Sequence, residues 1–240
     1  MSEVILIASG KGGVGKSVFS TNMGAILAER GARVVLIDMN MGLRNLDLYL
    51  GLENNVVYDV ADVLSGMCRI KKALIRDRRF PEFYLMSAAQ YKDTGYLTET
   101  HMKVLCRKLK DNFDYIIIDG PAGVGENMKL AAAGADKAVI ITVPEYVALR
   151  DADMMDRTLS GLGIGERTYV VNMVRPELFG KGWGPTLSQI AETMHISMAG
   201  IIPEDENIRI AANNGFPIVC KQGTYIRKNF ESIVERILQS

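Results

Sequence analysis

Cysteine is scarce in this chain of 240 residues: Cys68, Cys106 and Cys220 stand far apart, and no two form a CxxC pair. An odd count argues against a disulfide framework, and the spacing suits neither a zinc site nor an iron–sulfur site, so reduced thiols are expected. Net charge is absent too. Lys plus Arg total 28 and Asp plus Glu total 28, so no global basic field draws the chain onto nucleic acid or anionic lipid, and such contact requires a local patch. No apolar run reaches the ~20 residues needed to cross a bilayer. The opening MSEVILIAS has no basic leader before its short apolar stretch, unlike a secretory signal. A cytoplasmic chain is expected. The two histidines, His101 and His195, and the single Trp183 have no evident chemical partners, although His195 falls near the end of a predicted helix, where it suits the dipole.

What is present is an ordinary globular composition, 48% apolar and 23% charged, without repeats, low-complexity tracts or long linkers. One domain spanning 1–240 is therefore expected. Apolar, β-branched runs predict strands at Val4–Ala8, Arg33–Ile37, Phe83–Met86, Tyr115–Ile118, Ala138–Thr142, Thr168–Asn172 and Met198–Ile202. Helical spacing predicts Lys16–Arg30, Thr98–Lys110, Leu149–Leu162, Thr186–His195 and Tyr225–Leu238. Strands alternating with helices, and continuously apolar as in YIII, imply an α/β fold: a mostly parallel twisted sheet with helices on both faces.

After the first strand comes GKGGVGKS, Gly10 to Ser17, which matches G-x-x-x-x-G-K-[ST] and leads into a helix. That context defines a phosphate-binding P-loop. The backbone of Gly12, Gly13, Val14 and Gly15 wraps an anion at the helix N-terminus, Lys16 reaches the β and γ phosphates, and Ser17 ligates Mg²⁺. Asp38 and Asp119 each follow a predicted strand, at the carboxyl edge where α/β sheets bind ligands. Both suit a metal–phosphate site; the alternative is that each caps the next turn. Lys11 is surplus to a one-subunit phosphate cradle.

GKGGVGKS resembles the deviant Walker A motif of the MinD/ParA ATPases. LIDMNMGLRNLDLYLGLENNVVYD, IIIDGPAG, VPEYVALRDAD and GIIPEDENIRIAANNGFPIV are similar to further segments of the MinD branch, so the resemblance covers nearly the whole chain. It implies a P-loop NTPase that binds Mg·ATP and hydrolyses it. It also implies an ATP-dependent sandwich homodimer in which Lys11 contacts the other subunit's nucleotide, and a spatial switch for division-site placement with MinC/MinE-like regulators as partners. Lys11, Lys16, Asp38, Asn40 and Asp119 are the catalytic positions it implies, with Ser17, Asp38 and Asp119 toward the metal. Gly123 matches a γ-phosphate-sensing pivot. Asn172 matches an adenine-binding asparagine, with Pro203, Glu204 and Asp205 along the purine's other edge. Asp151 matches an RDxD aspartate near the dimer interface, or else serves as a helix N-cap.

Two features depart from the family. Its second acid, two residues beyond Asp38, is Asn40 here, and an amide orients water without accepting its proton. The rival reading is thus a nucleotide-gated dimeric scaffold that hydrolyses little. Val18 is a milder change from a commonly hydroxylated position. The family's membrane segment follows a last helix to which YIRKNFESIVERILQS corresponds. Tyr225, Ile226, Phe230, Ile233, Val234, Ile237 and Leu238 form one stripe there, read as a core face. Membrane contact by this chain is accordingly expected to be weak, with peripheral placement at the inner face of the cell membrane if an anchor follows. Nucleic acid is an unexpected partner. The cluster Arg69, Lys71, Lys72, Arg76, Arg78 and Arg79 is read as a solvated face, with lipid, DNA or a protein partner as alternatives.

Overall fold

A computed structural model describes residues 2–90, 95–178, 181–182 and 184–240; Trp183 lies outside them. Among the described residues the order is β1 (Glu3–Ser9), α1 (Lys16–Glu29), β2 (Val34–Asp38), α2 (Leu46–Tyr49), α3 (Val60–Leu64), α4 (Ile70–Ala73), β3 (Ile75–Arg76), β4 (Phe83–Met86) and α5 (Glu99–Lys110). There follow β5 (Tyr115–Ala122), α6 (Glu126–Ala132), β6 (Lys137–Thr142), α7 (Tyr146–Gly161), β7 (Glu166–Val174), α8 (Leu187–Thr193), β8 (Ser197–Pro203), α9 (Glu206–Asn213) and α10 (Tyr225–Gln239).

The strands form one sheet in the order β3-β4-β2-β5-β1-β6-β7-β8. Every pairing is parallel except β3 with β4. The central strands are buried on both faces, which explains their unbroken apolar runs. On one face α1 and α10 bury Phe19, Met23, Phe230 and Ile233. On the other, α5 and α7 bury Met102, Leu105, Leu149 and Met155. Because β1 is central and its neighbours β5 and β6 come much later in the chain, a crevice opens beyond its carboxyl end, where α/β sheets hold ligands. Register places Asp38 directly beside Asp119 at that edge.

All seven predicted strands occur. The two-residue edge strand β3 was not evident in the sequence, being too short for any alternation to show. The final stripe is a core face: Ile226, Phe230, Ile233, Val234 and Ile237 are buried, and only its end residue Tyr225 is well exposed. Lys137, 4% exposed, holds the end of α10 by donating to the carbonyls of Ile237 (3.2 Å) and Ser240 (3.0 Å), while pairing with Glu3 at 2.9 Å. The reading of the basic cluster as a solvated face needs correcting in part. Arg79 pairs with Asp77 at 2.6 Å and donates to the carbonyls of Leu50 (2.7 Å) and Gly215 (2.9 Å), so it ties three segments together. Lys72 lies over the Tyr58 ring.

Candidate nucleotide-binding site

The loop between β1 and α1 needs glycine at two left-handed positions, Gly13 (φ 79°) and Gly15 (φ 95°). Gly15 is also the N-cap of α1, which therefore starts with no side-chain cap and no acid in its first turn. Its leading N–H groups, which every helix leaves without an intrahelical partner, are left for an anion. Two close approaches fix the loop. A Cβ on Gly10 would sit 2.2 Å from the Asp151 carbonyl oxygen, so α7 backbone lies directly against the loop's start. A Cβ on Gly15 would sit 2.2 Å from Asn172 Nδ2, which donates to the Val14 carbonyl at 2.8 Å.

Lys16 is buried, and that burial lowers its pKa against the opposing pull of Asp119 and Asp38. Both acids are fully buried. Asp119 accepts from Ser17 Oγ at 2.6 Å and Ser20 Oγ at 3.0 Å. Burial, then the charge of Asp38, pushes its carboxyl up to about 7. Burial also raises Asp38. Asn40 joins the pair: its Nδ2 donates to Asp119 Oδ2 at 2.7 Å and to Asp38 Oδ1 at 3.1 Å. Asp38 further accepts from the backbone of Asn40, Asn45 and Leu46, so this acid does cap the turn that follows it. Asp119 caps nothing. Ser17, Asp38 and Asp119 together present hard oxygen donors beside an uncapped helix start, a set that fits Mg²⁺ with a phosphate chain.

Lys11 pairs with Glu145 at 2.7 Å. Gly123 adopts φ 80°, its N–H bonded to the Ser9 carbonyl. A cleft of about 340 Å³ is lined by Val143, Glu145, Met173, Arg175, Leu178 and Glu204. Pro203 ends β8 beside it. Glu204 is paired with Arg175, and Asp205 caps α9 through Asn207 N at 2.8 Å, so neither acid is free. Asp151 is not a helix N-cap: α7 begins at Tyr146 with Glu145 as its cap residue, which puts Asp151 inside the helix. His101 also has a partner, its Nδ1 accepting from Thr98 N at 3.2 Å at the start of α5. Glu145 and Ser20 were missed from sequence. Ser20 lies one helical turn beyond Lys16, a spacing that points it at the same acid.

Among the described residues no group of three or more His, Cys, Asp or Glu is arranged to hold a metal. Cys106 lies on the buried face of α5, its thiol pushed up to about 12 by burial.

A family model described as "ParA: NUBPL iron-transfer P-loop NTPase" matches residues 1–238. The chain is 43% identical over 222 residues to the septum site-determining protein MinD of Synechocystis, covering 92% of this chain and 84% of that protein. It is 41% identical over 240 residues to MinD of Bacillus subtilis, covering 99% and 90%. Among solved structures, the Aquifex aeolicus MinC:MinD cell division protein complex superposes with a TM-score of 0.91 at 35% identity, covering 100% and 97% of the chains. MinD of Pyrococcus horikoshii complexed with Mg-ADP gives 0.86 at 26% identity, covering 99% and 96%.

Proposed function

Because the chain belongs to the MinD septum site-determining ATPases within the ParA-type P-loop NTPases, we propose that the site built on Gly10 to Ser17, Asp38, Asn40 and Asp119 is where it hydrolyses ATP. Family membership makes ATP and Mg²⁺ its nucleotide and cation. The observation that carries the site proposal is the buried Lys16 beside two register-paired acids, at a helix start free of side-chain caps.

Lys16 and the loop amides hold the β and γ phosphates and oppose charge that builds on them during transfer. Ser17 and Asp119, hydrogen-bonded to one another here, would hold the cation together with Asp38, which also keeps the Asn40–Leu46 turn in place. A Mg²⁺ ion held there would supply charge neutralisation for the phosphates. Asn40 orients water but cannot take its proton. Asn172 and the Pro203–Asp205 loop flank the purine. Lys11 leaves Glu145 to reach the nucleotide of a second copy, closing a homodimer. By analogy with the Aquifex MinC:MinD complex, a MinC-like regulator docks on that dimer. Among the described residues no helix is long and apolar enough to cross a membrane. The stripe of α10 is packed into the core, so this helix offers no apolar face to anionic vesicles.

A second reading is favoured by one observation: Asn40 stands where hydrolysis needs help, its amide engaged by both acids. The chain would then be a nucleotide-gated dimeric scaffold with little turnover. Light scattering and phosphate release, each with and without Mg·ATP, test both. Dimerisation with turnover supports the switch, and dimerisation without it supports the scaffold. If a Lys16→Gln variant binds ATP as wild type does, the site is misplaced.

A further inference from the structure

Two adjoining clefts run along α5. One, of about 590 Å³, lies between α3, α4 and α5; the other, of about 660 Å³, between α4, α5 and β4. Ile70, Lys71 and Lys108 line both, so they form a single groove. Its floor is aliphatic at one end, with Val63, Leu64 and Val104, and mixed at the other, with Leu74 and Phe113. Its rim is cationic. Arg69, Lys71 and Lys108 are exposed, and none has an ion pair among the described residues, whereas Lys103 and Lys110 on the same helix are paired with Glu99 and Asp136. The one acid lining either cleft is Glu82, which already accepts from the Tyr84 hydroxyl at 3.1 Å. The groove belongs to the sheet face covered by α5, opposite the face on which α1 packs, and uses no residue of the nucleotide site.

We infer that this groove docks an acidic amphipathic protein segment. Its aliphatic side chains seat on Val104 and Ile70, and its carboxylates meet Arg69, Lys71 and Lys108. An apolar trough edged by unpaired cations is complementary to a helix with an apolar face and flanking acids. A flat bilayer surface would meet the rim and leave the recessed floor uncovered. Duplex DNA would pair its phosphates with the cations and likewise leave the aliphatic floor without a partner.

The test uses the full 240-residue protein and a synthetic helical peptide of Leu, Ala and Glu, alongside a counterpart with every Glu replaced by Lys. Anisotropy should show binding of the acidic peptide only, weakened by salt, with the Ile70 and Val104 methyl resonances shifting in NMR. Charge reversal at two rim positions, Lys71→Glu with Lys108→Glu, should weaken binding by about tenfold or more, with ATP binding and melting temperature unchanged. The inference is overturned if the Lys peptide binds equally, if the reversals leave affinity intact, or if the shifts map elsewhere. It is overturned equally if anionic vesicles or duplex DNA occupy the groove and the acidic peptide does not.

Discussion

Lys11 Nζ and Glu145 Oε2 lie 2.7 Å apart, an ion pair joining the phosphate loop to the cap residue just before α7. Both side chains are close to half exposed, so the pair is worth no more than ~1 kcal/mol. The lysine assigned to the partner's nucleotide is therefore held within its own subunit by a contact that is easily exchanged.

The first prediction is that Glu145→Gln alters ATP-dependent dimerisation by no more than a few-fold, whereas Lys11→Ala abolishes it. Light scattering across protein concentration reads both. Should the glutamate variant lose dimers as completely as the alanine variant, Glu145 belongs to the interface itself and is no mere resting place.

Asn40→Asp is the second. A carboxylate beside the attacking water can ease its developing positive charge, help typically worth ~10²–10⁴ in rate, although a loose phosphoryl transition state leans more on positioning. Turnover should rise about tenfold or more, with nucleotide affinity in Mg²⁺ little changed, since Lys16, Ser17 and Asp119 remain. The same variant brings a third carboxylate to the place where Nδ2 now lies 2.7 Å from Asp119 and 3.1 Å from Asp38. The metal-free protein should consequently melt lower, and Mg²⁺ with nucleotide should restore it. Equal single-turnover rates in the two proteins would show that other groups position the water.

The third concerns pH. Burial, then the charge of Asp38, raises Asp119 to about 7; the two acids titrate as a pair. An acid whose folded pKa lies above its unfolded value of ~3.9 binds more protons when folded. Metal-free stability should therefore fall as pH rises from about 4 to about 7. Cation binding runs the other way, because it needs the ionised acids, so Mg²⁺-dependent nucleotide affinity should strengthen as pH rises through about 7. Thermal melts without metal, and calorimetric titrations with and without Mg²⁺, give both slopes. An affinity flat across this range would mean that the acids are already ionised.

The strands and the phosphate loop were legible in the sequence because each depends on local pattern: continuous apolar runs for a sheet buried on both faces, and glycines where φ is positive. The pairing of Asp38 with Asp119 was legible only as a shared edge, since register is a property of the assembled sheet. The pair of hydrogen bonds from Asn40 to the two acids was not legible at all. A sequence shows the loss of a carboxylate there, not the two hydrogens that its replacement brings. Arg79 was read as one more surface charge because its partners, Leu50 and Gly215, come from segments that only folding brings together. Lys137 escaped notice for the same reason, its role resting on α10, a hundred residues away.

The contact of Gly10 with the Asp151 carbonyl is backbone against backbone, with no side chain between to absorb a displacement. The start of the phosphate loop is thus packed directly on α7. The outward face of that helix carries Tyr146, Val147 and Met154, all more than half exposed. A protein resting on those three side chains would thus stand one helix away from the phosphate loop, without touching the nucleotide site itself.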